Sequence, residues 1–460
     1  MSRIVCGIGS LVLGLVFASA IQAQMPQAAP PQNPPIPQAT APPPAPPGSQ
    51  PITLHDAEQI ALQNHPQIQA AGSLANAAQA RVTQAKSVYY PLVYGSASGS
   101  YAENDTRIGA GGLTSPRVFD RYGNGLTVNQ LVTDFGRTHQ FVKSSSEHAK
   151  AEQENVVTTR EQILLQVDQA YFAVLRSQAV LTVAQQTVDS RKLVSDQVTE
   201  LEKNKIKSGL DVSFANVNLA QAQLLLIQAQ NDLQASFAQL SASLGYADQR
   251  TFRLNEEPVP PAPPADVSTL IDQALRDRPE LIGQRLNLQS AQSYATAERD
   301  LWFPTLTAAG VAGLTPVIGQ GGLQSTTLPA PRYAAAGFNL NIPIFNGHQF
   351  GALRVEANYQ AEAQNQYLRD LQDRIVRDVR MAWLNANSGY QRLSVTQQLL
   401  DQANQALDLA QSRYRLGLSS IVELSQAQLN QTQALIDETT AKYDYEGQIS
   451  ALNFQLGALR

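Results

Sequence analysis

The residues best suited to chemistry in this sequence do not gather into a reactive site. Five histidines, His55, His65, His139, His148 and His348, lie scattered, without the fixed spacing a metal site needs. No His-Glu-x-x-His, phosphate-binding loop or nucleophile elbow occurs. Gly109-Ala-Gly-Gly112 and Gly319-Gln-Gly-Gly322 are glycine-rich, but a phosphate cradle needs a strand before it and a helix after it, so both read as flexible loops. The sequence therefore supports no enzyme activity, no cofactor and no metal. What remains are two glycines, Gly209 and Gly417, placed where long helical patterns must reverse. Each is expected to supply the φ > 0 residue of a tight turn.

The elements that would position those turns begin with an export signal. Arg3 supplies a positive end, Ile4 to Phe17 an apolar run, and Ala18-Ser19-Ala20 and Ala23 small-residue cleavage points, which reads as a signal peptide over 1–23. Residues 24–51 are mostly Pro, Ala and Gln and cannot form a core. Cys6 is the chain's one cysteine. It lies inside the apolar run without a lipobox, so a lipid anchor, a disulfide and a thiolate metal site are not expected. No later stretch is apolar over the ~18 residues a membrane helix needs, so a membrane crossing would require a closed β-barrel. The net charge of −5 offers no basic face for nucleic acid.

The mature chain repeats itself. His65-Pro66 and Arg278-Pro279 occupy matching places, as do Tyr90-Pro91 and Phe303-Pro304. Gly125-Leu-Thr-Val-Asn129 answers Gly337-Phe-Asn-Leu-Asn341, Lys207-Ser-Gly-Leu210 answers Arg415-Leu-Gly-Leu418, and Ser243-Leu-Gly245 answers Gln455-Leu-Gly457. Repeat 1 spans 52–250, a Pro-rich linker 251–265, and repeat 2 266–460. Each repeat reads as a helix (66–87, 279–300), a strand pair (about 88–102 with 121–135, and 301–314 with 332–346), a very long helix (137–205, 348–415), a glycine turn and a last helix (213–244, 420–456).

The strand segments alternate. Phe338, Leu340, Ile342 and Ile344 oppose Asn339 and Asn341; Leu126 and Val128 oppose Thr127 and Asn129; Ser96, Ser98 and Ser100 oppose Gly95, Ala97 and Gly99. One apolar and one polar face suit a barrel wall, and equally a half-buried soluble hairpin. The long helices carry heptads: Val379, Ala386, Leu393, Leu400, Leu407 and Tyr414 run beside the small residues Ala382, Gly389, Thr396, Ala403 and Ala410, a pattern for close antiparallel packing. Four strands cannot close a membrane barrel, since the smallest single-chain barrels use about eight. Self-association is the simplest cover for their edges.

This ordered set resembles the TolC-like outer-membrane efflux family over nearly all of 52–460. The likeness rests also on Leu131-Val-Thr-Asp-Phe-Gly136, Pro343-Ile-Phe-Asn-Gly347 and Tyr414-Arg-Leu-Gly-Leu-Ser-Ser-Ile-Val-Glu423. The resemblance implies a mainly α protein with membrane β: a homotrimer whose twelve-strand barrel, four strands per chain, continues into a long periplasmic α-helical barrel. Loops 103–120 and 315–331 would face outside, and Pro258 to Pro264 would join a belt. It implies outer-membrane lipid, a periplasmic adaptor and an inner-membrane pump as partners, in tripartite efflux or type I secretion.

By the same resemblance, the turns at Gly209 and Gly417 meet the adaptor, with Leu210 and Leu418 as exposed apolar contacts. Glu423 and Tyr414 match the pore constriction, Tyr414 bonding Asp211 on the neighbouring hairpin and three Glu423 carboxylates favouring cations. Gln426 stands where a second acidic residue can occur and Ser419 where a basic partner can, and the first turn reads as a few residues shorter. Against the gate roles, Glu423 reads equally as a solvated helix charge and Tyr414 as a packed heptad residue. The alternative function is a non-transporting periplasmic structural or adaptor protein built on coiled-coil hairpins.

Overall fold

The computed structural model describes residues 51–101, 121–314 and 332–459. The expected signal peptide, nearly all of the leader and both outer loops lie outside them. Eight helices and four strands follow in order among the described residues.

Each repeat opens with a helix the sequence reading did not separate: α1 (Leu54–Asn64) and α5 (Val267–Asp277). Thr53 and Asp56 close a capping box on α1, and Asp266 caps α5. Each 11-residue helix is followed at once by a Pro at the first position of the next, α2 (Pro66–Lys86) and α6 (Pro279–Arg299). His65 and Arg278, extended before those prolines, are therefore the corners between two helices.

The strands are shorter than the alternation suggested. Ser87–Tyr89 and Asp300–Trp302 continue the preceding helices as 3₁₀ turns, so β1 (Leu92–Ser100) and β3 (Thr305–Leu314) start only after Pro91 and Pro304. β2 (Arg121–Thr133) ends before Phe135 and Gly136, at φ 56° and 110°. β4 (Arg332–Asn341) stops before Pro343, which has no N–H for a ladder; Ile342 and Ile344 thus fall outside the strand.

The sheet runs β1-β2-β3-β4, every pair antiparallel. Its register brings much of the strands' polarity to one side, with Asn124, Gln130 and Arg332 falling on the opposite side and Leu92, Tyr94 and Leu131 on the polar one. Ser96, Thr127, Asn129, Thr307, Asn339 and Asn341 share one face, and Val93, Leu126, Val128, Leu306, Phe338 and Leu340 the other. No described side chain on the polar face carries a charge. β1 and β4 each keep one edge without a hydrogen-bonded neighbour among the described strands.

The rods α3 (Arg137–Lys203) and α7 (Gln349–Arg415) have 67 residues each, on the order of 100 Å at 1.5 Å per residue. They return as α4 (Gly209–Ser243) and α8 (Ile421–Gln455). α4 packs on α3, α3 on α8, and α8 on α7; nearer the sheet, α2 packs on α3, α3 on α6, and α6 on α7. On α7 both heptad lines contribute buried residues, Val379, Ala386 and Tyr414 from one and Gly389, Thr396, Ala403 and Ala410 from the other, while Leu393, Leu400, Leu407 and Ala382 are half-buried.

Two equivalent cores form at belt height, where the short helices cover the rods. Val167, Tyr171 and Val174 meet Ala57, Ala61 and Leu240 in one; Ile375, Val379 and Ala386 meet Leu270, Ala274 and Leu452 in the other. The linker is tied across them: Tyr171 Oη donates to Asn255 O at 2.6 Å, Tyr445 Oη to Pro261 O at 2.6 Å, and Trp383 Nε1 to Pro264 O at 2.7 Å. Gly245 and Gly457 stand just past α4 and α8 at φ 83° and 68°, the left-handed C′ position that favours glycine.

Candidate functional site

The two helix reversals lie at one end of the rods and meet through Val198, Ala215, Ala410, Tyr414, Ile421 and Leu424. Both are built alike, and the structure aligns them differently from the sequence. α4 starts at 209 and α8 at 421, a step of 212. At the same step, Lys205 (φ 61°) answers Gly417 (φ 75°). The amides of Ile206 and Leu418 close the same six-residue turn, onto Leu201 O at 2.9 Å and Arg413 O at 2.8 Å. The first turn is therefore no shorter than the second.

Two expectations are corrected by this alignment. Gly209 is not the left-handed residue; it opens α4, and Lys205 makes the turn. Leu210 is not the counterpart of Leu418. That place belongs to Ile206, and the two are exposed to the same degree, 66% and 67%. Leu210 is exposed too, one turn into α4. The repeated tetrapeptides Lys-Ser-Gly-Leu and Arg-Leu-Gly-Leu look alike but sit four residues out of step. The true marker was the helix-start pattern Ser208-x-x-Asp211 and Ser420-x-x-Glu423.

Asp211 and Glu423 are thereby equivalent, each at the third position of its helix. Ser208 Oγ accepts from the Asp211 amide, while Asp211 Oδ2 accepts from the Ser208 amide at 3.0 Å and its hydroxyl at 2.8 Å. These bonds, the backbone one first, hold the carboxyl below its usual range. Ser420 caps α8 through the Glu423 amide at 3.4 Å, leaving the Glu423 carboxylate free to meet Arg413, Nε to Oε1 at 3.5 Å. Both ends of that pair are half-exposed, so it is weak and salt-sensitive.

Tyr414 is buried at 7% exposure, and its hydroxyl has no hydrogen-bond partner among the described residues. Burial first, and the charge of Asp211 second, push the phenol's pKa up. Asp211 is thus close enough to be felt but bonds only Ser208. The group that holds the ring is Lys207, whose Nζ sits 3.9 Å from the ring centroid, a cation–π contact between the hairpins. Beside it Leu193, Val198, Leu201, Ile206 and Leu424 line a cavity of about 380 Å³. Sequence reading missed Lys207, Ile206 and Arg413, since nothing local marks a cation that will land on a ring some 200 residues away in the chain.

A four-stranded antiparallel sheet with unlike faces, carried on two long helical rods, defines a membrane-anchored duct component. The chain belongs to the outer membrane efflux protein family, whose model matches residues 58–246 and again 270–458. Among its relatives, the alkaline protease secretion protein AprF of Pseudomonas aeruginosa is 25% identical over 89% of this chain and 85% of its own. The outer membrane protein TolC of Vibrio cholerae is 24% identical over 87% and 89%. The solved outer-membrane channel OprN superposes with a TM-score of 0.77 at 20% identity, over 88% of this chain and 90% of its own. The protein's place is accordingly the bacterial outer membrane, with the helices extending into the periplasm.

Proposed function

We propose that this chain is the passive exit duct of a tripartite efflux or type I secretion system, working as a homotrimer. The observation that carries this reading is that the free edges coincide. β1, α2 and α4 leave one side of each chain uncovered, and β4 and α7 the other. α4 exposes Leu210, Val217, Leu224 and Ile227; α7 exposes Met381, Leu384, Val395, Leu399 and Leu409. One copy's β1 side meets the next copy's β4 side, a head-to-tail contact that ends only when a ring closes. Three copies bring twelve strands, enough for a barrel. The apolar face then meets outer-membrane lipid, and the polar face lines the lumen.

The tips form the periplasmic entrance. Glu423, Tyr414 and Asp211 make its constriction and gate, with Lys207 on Tyr414 as the holding contact. Gly209, Leu210, Gly417 and Leu418, joined by Ile206, present apolar side chains to the hairpin of a periplasmic adaptor. The adaptor links the duct to an inner-membrane pump, which supplies the energy and chooses the cargo. No enzyme step, cofactor, metal or nucleic acid enters the cycle. The support is the family membership together with relatives named for protease secretion and for antibiotic and toluene efflux.

The test is conductance in planar bilayers with purified, heat-modifiable trimers. Discrete channels that prefer cations are expected, and Glu423→Ala should weaken that preference. A periplasmic protein that forms no trimer and no channel would instead support the non-transporting alternative.

A further inference from the structure

Between the belt and the tip, α3 and α8 stop meeting through large apolar side chains. The buried positions there are Thr187, Arg191 and Ser195 on α3 and Ser425, Gln428 and Thr432 on α8. Arg191 is 5% exposed. Its Nη2 donates to the Gln428 carbonyl at 2.8 Å and to Thr432 Oγ1 at 3.0 Å. Burial alone draws its pKa down to about 10, with no neighbouring charge acting on it.

A buried guanidinium without a counter-ion is costly, and an apolar side chain of similar length would pack the seam without that cost. What the guanidinium adds is direction. Both its bonds fall on one turn of α8, and the Gln428 carbonyl also accepts from the Thr432 hydroxyl at 3.0 Å. Arg191 therefore fixes the axial position of one hairpin against the other, as a buried polar residue fixes the register of a coiled coil.

We propose that Arg191 is a positioning residue of the gate: a pin that sets the register of the α3–α4 hairpin on the α7–α8 hairpin, released when the tips part. This rests on the gate reading above. Lys207 follows directly from α3, whereas Tyr414 and Glu423 flank the start of α8. The helices are continuous from the pin to the tip, so a slip of one turn at Arg191 carries the tip residues by the same distance, about 5 Å. That is enough to take Lys207 off the Tyr414 ring. Arg191 touches no cargo and acts only through the placement of these residues.

Arg191→Met, Arg191→Lys and Thr432→Val test this in planar bilayers without adaptor, with heat-modifiable trimers measuring assembly. The Met variant keeps an unbranched apolar stem and loses both bonds; resting conductance per assembled channel should rise several-fold. Lys and Val each keep part of the contact and should give smaller rises. A purely structural role would lower the trimer yield and leave conductance per channel unchanged; that result in Met and Val overturns the proposal. Should the Met variant fail to assemble, Thr432→Val, which removes one acceptor at constant volume, decides by the same criterion. Wild-type trimers with no conductance would overturn the duct reading itself, and the pin with it.

Discussion

Replacing Glu446 with Gln should stabilise this protein at alkaline pH and flatten its pH dependence. Glu446 lies on α8 at 2% exposure, and neither carboxylate oxygen has a hydrogen-bond partner among the described residues. Burial first, then the charges of Glu256 and Glu257 against the opposing Lys442, push its pKa from 4.5 up to about 7. In the unfolded chain the group loses its proton near 4.5, and in the folded chain only near 7. Between those values the folded state holds more protons, so stability falls as pH rises through that window and is flat above it. The gap is worth about 3 kcal/mol at one unit per 1.4 kcal/mol. An amide never ionises, so Glu446→Gln removes this loss.

The assay is thermal unfolding of detergent-solubilised trimers at a fixed scan rate from pH 5 to pH 8. Trp383, which anchors the linker at Pro264, serves as a fluorescent reporter on the same belt. Wild type should lose Tm toward pH 8, and Glu446→Gln should hold it a few degrees higher there while matching wild type at pH 5. Equal slopes in the two proteins, or a Gln variant less stable at pH 8, would refute the reasoning. Asp168, buried beside Glu58 and raised by burial first and that charge second, should show the same sign in Asp168→Asn.

Three further outcomes follow from particular contacts. Tyr171→Phe strips the hydroxyl from the carbonyls of Ile52 and Asn255, which should cost about 1–3 kcal/mol, seen as a lower denaturation midpoint. Gly245→Ala puts a Cβ 3.0 Å from the Asn64 backbone at φ 83°; the left-handed strain alone costs about 1–2 kcal/mol, so Tm should fall, whereas Gly72→Ala, inside α2 with nothing within 4 Å, should raise stability by about 0.5–1 kcal/mol. Arg413→Gln frees Glu423 from its 3.5 Å ion pair, and reversal potentials under a salt gradient should shift toward stronger cation preference.

Much of the architecture was readable from the chain alone, because it depends on short-range rules. Prolines at 66, 91, 279 and 304 announced helix starts and strand entries, and a seven-residue rhythm announced the rods. Period-two alternation announced a sheet with unlike faces. Even the duplication was visible as an ordered series of matches. The short helices α1 and α5 escaped, since 11 residues ending at a proline give little periodicity to count. The first reversal was misaligned because two similar tetrapeptides outweighed the serine caps that set its geometry.

Other features depended on the fold. Which strand residues share a face across all four strands is a matter of register, decided by pairing partners as far apart as Asn124 and Leu314. The same is true of Lys207 on Tyr414, of Glu446 buried without a partner, and of Arg191 bonded to a turn of α8 more than 230 residues on. Local sequence determines φ, ψ and the side of an element that is apolar. Which charge ends up beside which ring or carbonyl is decided when rods and sheet pack, because only then does burial exclude the water that would otherwise satisfy each group.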